Sequence, residues 1–169
     1  MPFHIIISIY ILCGLNMDLS EARNRAFNKF NKLVGKDIEC PALSTTVKFT
    51  NDWFSHITYK DAKHRRSENE QIVRFQCFLD VETIIKKSHL YQEYRDKEET
   101  VKVRKHWVNY KEIKKVEYFW LVGVIEHNHT KSRIRVVIRK ESWKDYAEYH
   151  SVIPAWNVQW YRNFMWSLE

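Results

Sequence analysis

The segment that most constrains the fold covers residues 116–140, which read as two strands joined by a polar turn at 128–131. Its first half is rich in β-branched and aromatic residues, which favour strands. In its second half Ile134, Val136 and Ile138 alternate with arginines. Because successive side chains of a strand point to opposite faces, this alternation predicts one apolar and one cationic face.

Helical patterns precede this hairpin, and further β-prone pieces surround it. The chain is therefore predicted to be an α+β protein, with N-terminal helices packed on a roughly four-stranded antiparallel sheet and an aromatic helix at the C-terminus. Residues 88–100 are charged and are predicted to form a loop. Four helices are predicted: one that begins at Ser20 and places Ala22, Ala26, Phe30 and Leu33 on one face, one that begins near Trp53, one from Glu68 to Lys87, and a C-terminal one that contains Trp156, Trp160 and Phe164. The predicted strands are 38–41, 45–50, 101–108, the two of the hairpin, and 149–153.

Composition supports a single ordered domain with an anionic partner. The chain has 169 residues, of which 44% are hydrophobic, with only three Gly and three Pro, so a folded core is expected. Its net charge of +7 favours a polyanion, nucleic acid before an anionic membrane. The alternative is a basic protein with no polyanion partner.

The N-terminus differs from the rest of the chain. Residues 1–16 contain an apolar run that is too short for a membrane span and has no preceding Lys or Arg. We interpret them as an upstream extension of the reading frame, with a signal peptide as the alternative, and residues 17–169 as one domain. Three scattered cysteines without a CxxC motif favour a reducing, cytoplasmic setting over export or delivery into a target cell.

Sequence signatures of cofactor and metal sites are missing. The chain has no Gly-rich phosphate loop, HExxH, GxSxG or paired-cysteine motif. His127 and His129 lie in a predicted turn and are better explained as solvated side chains. No cofactor or metal is therefore expected.

The residue types present suit RNA cleavage without a metal. That reaction needs a base for the 2′-hydroxyl, an acid for the leaving oxygen and cations for the transition state, roles that His, Arg and Lys can fill. We predict that His56 acts as the base or the acid and His64 as its counterpart, that Arg74 and Arg135 stabilise the charge of the transition state, and that Ser151 donates a hydrogen bond to the phosphate. The predicted RNA-binding residues are Arg65, Arg66, Arg133, Arg135 and Arg139.

Each of these residues also has a simpler interpretation. His56 follows two aromatic residues and could be a core or cap histidine, whereas residues 64–66 could be a solvated loop. The stem of Arg74 could pack in the core, and the strand arginines could be the solvated face of a sheet. The coincidence of these groups in a basic chain favours the functional interpretation.

The spacing of several residues resembles a known group of nucleases. The run Val47-Lys48-Phe49-Thr50-x-x-Trp53-x-x-His56-Ile57, then His64, Arg74, a helix ending near Ser88, and a hairpin followed by His150-Ser151-Val152-Ile153, resembles the phage-associated branch of the barnase–EndoU–colicin–RelE-like nucleases. The resemblance covers roughly residues 38–156. It implies helices on a four-stranded antiparallel sheet, a metal-independent ribonuclease activity, and a toxin, effector or phage-borne role.

The resemblance also implies site residues and partners. It places His56, His64, Arg74 and Ser151 near the site, with strand arginines such as Arg135 facing RNA. The expected partners are RNA, with tRNA one candidate, and a cognate antitoxin or immunity protein; a monomer without a membrane association is expected. The alternatives are a non-catalytic RNA- or DNA-binding module and a protein-interaction domain that uses the aromatic C-terminus.

Overall fold

The computed structural model describes residues 17–127 and 130–154, a mixed α+β chain of four α-helices and six strands in that part. The apolar segment 1–16, His129 and the predicted C-terminal helix lie outside the described residues. The elements are α1 (Leu19–Leu33), β1 (Ile38–Cys40), a 3₁₀ turn (Pro41–Leu43), β2 (Thr45–Lys48), α2 (Trp53–Thr58), α3 (Glu68–Phe78), α4 (Val81–Lys87), β3 (Glu93–Lys105), β4 (Val108–His127), β5 (Thr130–Glu141) and β6 (Ala147–Pro154).

All six strands form one mixed sheet in the order β1-β2-β6-β5-β4-β3. The predicted four-stranded antiparallel sheet is therefore too small. The two short N-terminal strands pair with each other in antiparallel, and β2 then adds to β6 in parallel, with Val47 opposite Ala147. The sequence does not show this pairing, because it joins strands about a hundred residues apart.

Side-chain caps mark the first residues of α1 and α3. Helix α1 begins at Leu19, one residue before the predicted Ser20, because the side chain of Asp18 accepts a hydrogen bond from the backbone N–H of Glu21 at 2.8 Å. Ser67 and Glu70 form a capping box at the start of α3.

The predicted single helix from Glu68 to Lys87 is divided into two helices, α3 and α4. The backbone N–H groups of Leu79 and Asp80 donate to carbonyls three residues back and so tighten the chain into a turn between them.

The helices cover one face of the sheet and bury the main core. Trp53 lies at its centre, with its ring stacked on Phe30 at 5.0 Å and on Phe78 at 4.4 Å between centroids. The predicted apolar positions of α1 and of the β5 strand are all buried here. These residues are Ala22, Ala26, Phe30, Leu33, Ile134, Val136 and Ile138.

The other face of the sheet is covered by an extension of strands β3 and β4. β4 pairs with β5 only from Val116 onward, so residues 98–115 form a two-stranded ribbon, which we call the arm. Val101 of the arm packs with Val116, Tyr118 and Val137 in a second, small core. The arm therefore bends over this second face, as strongly twisted ribbons do. Residues 93–100 of the predicted loop 88–100 are strand instead, because β3 begins at Glu93.

None of the helices in the described ranges combines the length and the apolarity that crossing a membrane requires.

Candidate active site

A cleft lies between the arm, α2 and the second face of the sheet. Its volume is about 880 Å³. Strand β3 contributes Lys97 and residues 99–104 from one side, the latter on the arm, and β4, β5 and β6 contribute the floor. The other lining residues are Thr50, Asp52, His56, Tyr118, Arg139, Glu141, Trp143, Lys144, Glu148, Tyr149 and His150.

Two imidazoles face each other in this cleft. The ring centroids of His56 and His150 are 4.2 Å apart. His56 comes from α2, whereas His150 comes from β6, where a β-bulge interrupts the ladder: Ser151 pairs with Val137 and Tyr149 pairs with Ile138. His150 is the extra residue of this bulge, and bulges commonly redirect a side chain beside a functional site.

Burial holds both imidazoles in their neutral form near pH 7. It lowers the pKa of His56, although the carboxylate of Asp52 acts in the opposite direction. Burial also lowers the pKa of His150 to about 4, and the neighbouring His56 and Arg139 add to the effect. A positive charge on one imidazole disfavours protonation of the other. The pair therefore carries at most one proton at a time.

Tyr118 and Glu99 connect the imidazoles to an arginine. The ring centroid of Tyr118 lies 5.2 Å from that of His150, and its hydroxyl donates to Glu99 at 2.6 Å. Burial and this hydrogen bond raise the pKa of Tyr118, so the hydroxyl keeps its proton. Arg139 is 3.2 Å from the same Glu99 carboxylate, which fixes both donors around one acceptor.

Arg139 is the most heavily ion-paired cation of the cleft. It also contacts Glu141 and lies 3.6 Å from Glu148. Burial acts to lower the pKa of Arg139, but its hydrogen bonds to Glu141 and Tyr118 outweigh burial and raise it. The guanidinium is therefore permanently charged and held in place, as a site for a phosphate oxygen requires.

The cleft carries a small positive excess. Among the described residues, five lining side chains are Lys or Arg and four are Asp or Glu. Lys97 pairs with Glu99 at 2.7 Å, and Lys144 pairs with Glu148 at 2.7 Å. A phosphate that enters the cleft would replace these carboxylates as the partner of the lysines, which are already held in position.

His56 lines the cleft, whereas its predicted partner His64 does not. The side chain of His64 is exposed in the turn before α3, and its Nδ1 lies 2.9 Å from the carboxylate of Asp61. His64 does not line the cleft.

Arg74 and Ser151 also lie outside the cleft lining. Arg74 is buried and donates to the backbone carbonyl of Val152, and burial, followed by the charge of Arg66, lowers its pKa to about 10. Ser151 is half-buried on β6 opposite Val137.

Only one of the predicted RNA-binding arginines lines the cleft, and that is Arg139. Arg65 is exposed in a β-bridge with Tyr59, and Arg133 is exposed on β5. Arg135 lies 3.6 Å from Glu93. Arg66 is half-buried and close enough to His56 for its charge to lower the pKa of that imidazole.

Sequence reasoning did not select His150, Tyr118 or Glu99. His150 stands in the quoted strand motif, but strict alternation cannot show which neighbour a bulge turns into the cleft. Glu99 lies in a charged stretch without the apolar alternation that marks a strand.

No three His, Cys, Asp or Glu side chains within the described ranges are grouped so that they could hold a metal ion. No known protein family, curated protein or solved structure matches this chain.

Proposed function

We propose that the protein is a metal-independent endoribonuclease that cleaves RNA by general acid–base transesterification in this cleft. The observation that carries the proposal is the pair of partly buried imidazoles, 4.2 Å apart, beside the fixed guanidinium of Arg139. These groups are the minimum set that the reaction needs: two proton carriers and a cation for the phosphorane-like transition state.

The environments of the two histidines suggest their roles. His150, with a pKa of about 4, is neutral at working pH and would accept the proton of the ribose 2′-hydroxyl. The carboxylate of Asp52 favours the protonated form of His56, which would give its proton to the departing 5′-oxygen. The O–P bond to the 2′-oxygen forms as the bond to the 5′-oxygen breaks, leaving a 2′,3′-cyclic phosphate.

Arg139 and Tyr118 would bind the non-bridging phosphate oxygens. The hydroxyl of Tyr118 stays protonated and would turn its one O–H from Glu99 to a phosphate oxygen, and Arg139 can exchange one carboxylate contact for a phosphate. Lys97 and Lys144 line the same cleft and would offset the negative charge of the bound RNA.

The test compares three histidine variants on mixed RNA in EDTA. His56→Ala and His150→Ala are each expected to lower kcat/KM about 10²- to 10⁴-fold, the usual contribution of an acid or base. His64→Ala, whose side chain is exposed outside the cleft, is the matched control and is expected to cleave like the wild type. Absence of cleavage by the wild type, or loss of cleavage in His64→Ala alone, would refute the proposal.

The pH profile gives an independent check. Since kcat/KM reports the free enzyme, the rate should rise as pH increases through the pKa of His150 near 4 and fall once His56 deprotonates below its ordinary value of 6.5. The optimum is therefore expected between about 4 and 6.5, measured with a short fluorogenic RNA. An optimum above 8 would contradict these roles.

A second candidate is a non-catalytic RNA- or DNA-binding module. It is favoured by one observation: cations outnumber carboxylates among the described lining residues of the cleft, and this attracts a phosphate chain whether or not the chain is cleaved. This candidate predicts salt-sensitive binding and no product in the assay above.

A further inference from the structure

We propose that the tip of the arm is a contact for single-stranded RNA, in which Trp107 stacks on a base while the strand's backbone follows Lys102 and Arg104 into the cleft. The inference deepens the proposed function and rests on it for the identity of the polyanion as RNA. It is carried by four observations on the arm itself.

Trp107 is the most exposed of the large apolar side chains in the described chain, with 87% of its surface accessible. Trp is a residue that folding normally covers to a large extent. It stands in the two-residue turn that joins β3 to β4, where Lys105 pairs with Val108. The indole therefore projects from the end of a ribbon into solvent.

The backbone of this turn is strained for the side chains it carries. His106 has φ of 48° and Trp107 has φ of 68°, both in the left-handed region. Asn-Gly is the sequence that such a turn favours, because other side chains are disfavoured there. Non-glycine residues in this conformation are concentrated at functional sites, so the turn places these side chains at a cost in stability.

The charge around Trp107 selects an anionic partner. Residues 101–114 contain five Lys or Arg and one Glu. The guanidinium of Arg104 lies over the indole, 5.0 Å from the ring centroid, and so orients the ring. A flat aromatic face beside positioned cations is the arrangement that binds single-stranded nucleic acid.

The arm is continuous with the cleft. Residues 100–104 line the cleft, and Trp107 stands in the turn that follows the end of the same strand at Lys105, with the guanidinium of Arg104 5.0 Å from its ring centroid. A single-stranded RNA with one base stacked on Trp107 can therefore continue past Arg104 and Lys102 towards the two imidazoles. A membrane surface could also accept Trp and Lys, but it could not enter the cleft, and for this reason we favour RNA.

The experiment measures binding of a labelled, fully 2′-O-methylated RNA of about 12 nucleotides by fluorescence anisotropy, a length within the site sizes of single-strand-binding folds. The methylated probe cannot be cleaved through its 2′-oxygen. Trp107→Ala is expected to weaken binding about 5- to 100-fold, the range for losing one base stack. Trp107→Phe should retain most of the affinity, which separates loss of stacking from disruption of the turn.

Two controls make the result specific. Tyr91→Ala removes another exposed aromatic side chain, outside the arm, and should bind like the wild type. On an abasic strand of the same length, the wild type and Trp107→Ala should bind equally, because only the phosphates remain to be contacted. Lys102→Ala should weaken binding to both probes and reduce the salt dependence, as loss of a phosphate contact does.

The proposal is overturned if Trp107→Ala binds the methylated RNA like the wild type, or if it loses affinity equally for the abasic strand. It is also overturned if the substitution weakens binding to phosphatidylserine vesicles and leaves RNA binding unchanged. The two proposals fail separately: Trp107-dependent binding without any RNA cleavage would remove only the ribonuclease, and His150-dependent cleavage with unchanged binding by Trp107→Ala would remove only the arm contact.

Discussion

The two faces of the sheet are built on different physical principles. The face covered by helices buries a large, continuous apolar core centred on Trp53 and Phe78. The face covered by the arm has a buried apolar cluster of four residues within the described part of the chain, and around them lie ion pairs, two imidazoles and an open cleft. The comparison indicates that one face supplies the stability of the fold, and that this stability allows the other face to hold partly buried polar groups.

The largest effect should come from breaking the helix-covered face. Phe78 is fully buried and stacks on Trp53, so Phe78→Ala should lower the free energy of unfolding by about 3–5 kcal/mol. The measurement is equilibrium unfolding in urea. Such a loss approaches the whole stability of a small domain.

The matched change on the other face is Val101→Ala, in the small core under the arm. Because the arm pairs only with itself, this variant should mainly increase amide exchange in residues 98–115. Equal global losses from Phe78→Ala and Val101→Ala would show that the two faces do not differ as described.

The next largest effect is expected in the pH dependence of stability, to which the arm-covered face contributes through His150. The folded pKa of His150 is about 4, below its ordinary value of 6.5, so the unfolded chain takes up this proton first. The corresponding stability is complete above pH 6.5 and is lost as the pH falls towards 4, by about 2 kcal/mol given that the imidazole is only partly buried. Urea unfolding of His150→Phe should show a flatter dependence on pH in this window.

A carboxylate on the helix-covered side provides the control. Hydrogen bonds from Lys29 and Lys86 lower the pKa of Glu82 to about 2. Its contribution is present above its ordinary value of 4.5 and is lost as the pH falls from there towards 2. Glu82→Gln should therefore leave the slope between pH 6.5 and 4.5 unchanged, and a flattened slope in that window would contradict the assignment to His150.

The same contrast explains how much of the fold the sequence predicts. The spacing of Ala22, Ala26, Phe30 and Leu33 identified the buried side of α1, and the alternation in β5 identified its buried face, because each packs against one apolar layer. The arm did not show this signal, since most of its side chains are exposed on both faces of the ribbon. The parallel β2–β6 pairing was missed because it depends on distant strands.

The site was predicted less well than the fold, for a related reason. His56 and Arg139 were selected for their chemistry, and both line the cleft. The neighbour of His56 turned out to be His150, which faces the cleft because of a bulge in its pairing with β5. A bulge is decided by the partner strand and leaves no periodic mark on its own sequence.

The smallest expected effect concerns Arg74, which the sequence placed in the active site and the structure places in the interior. It donates to the carbonyl of Val152, and it lies near a second cation, Arg66. Arg74→Met removes that hydrogen bond but also removes a buried charge, so the two effects partly cancel, and a loss of about 1 kcal/mol is expected. The value of kcat/KM for RNA should stay close to that of the wild type.

Arg139→Met is the comparison that gives this result its meaning. Arg139 lines the cleft, and its loss should lower kcat/KM about 10²-fold or more, as removal of a donor to a transition-state oxyanion does. Steady-state kinetics and urea unfolding of both variants therefore separate an interior arginine from one that lines the cleft. If Arg74→Met instead lost activity as severely as Arg139→Met with its stability intact, the guanidinium of Arg74 would have to reach the phosphate, and the catalytic groups would not be confined to the arm-covered face.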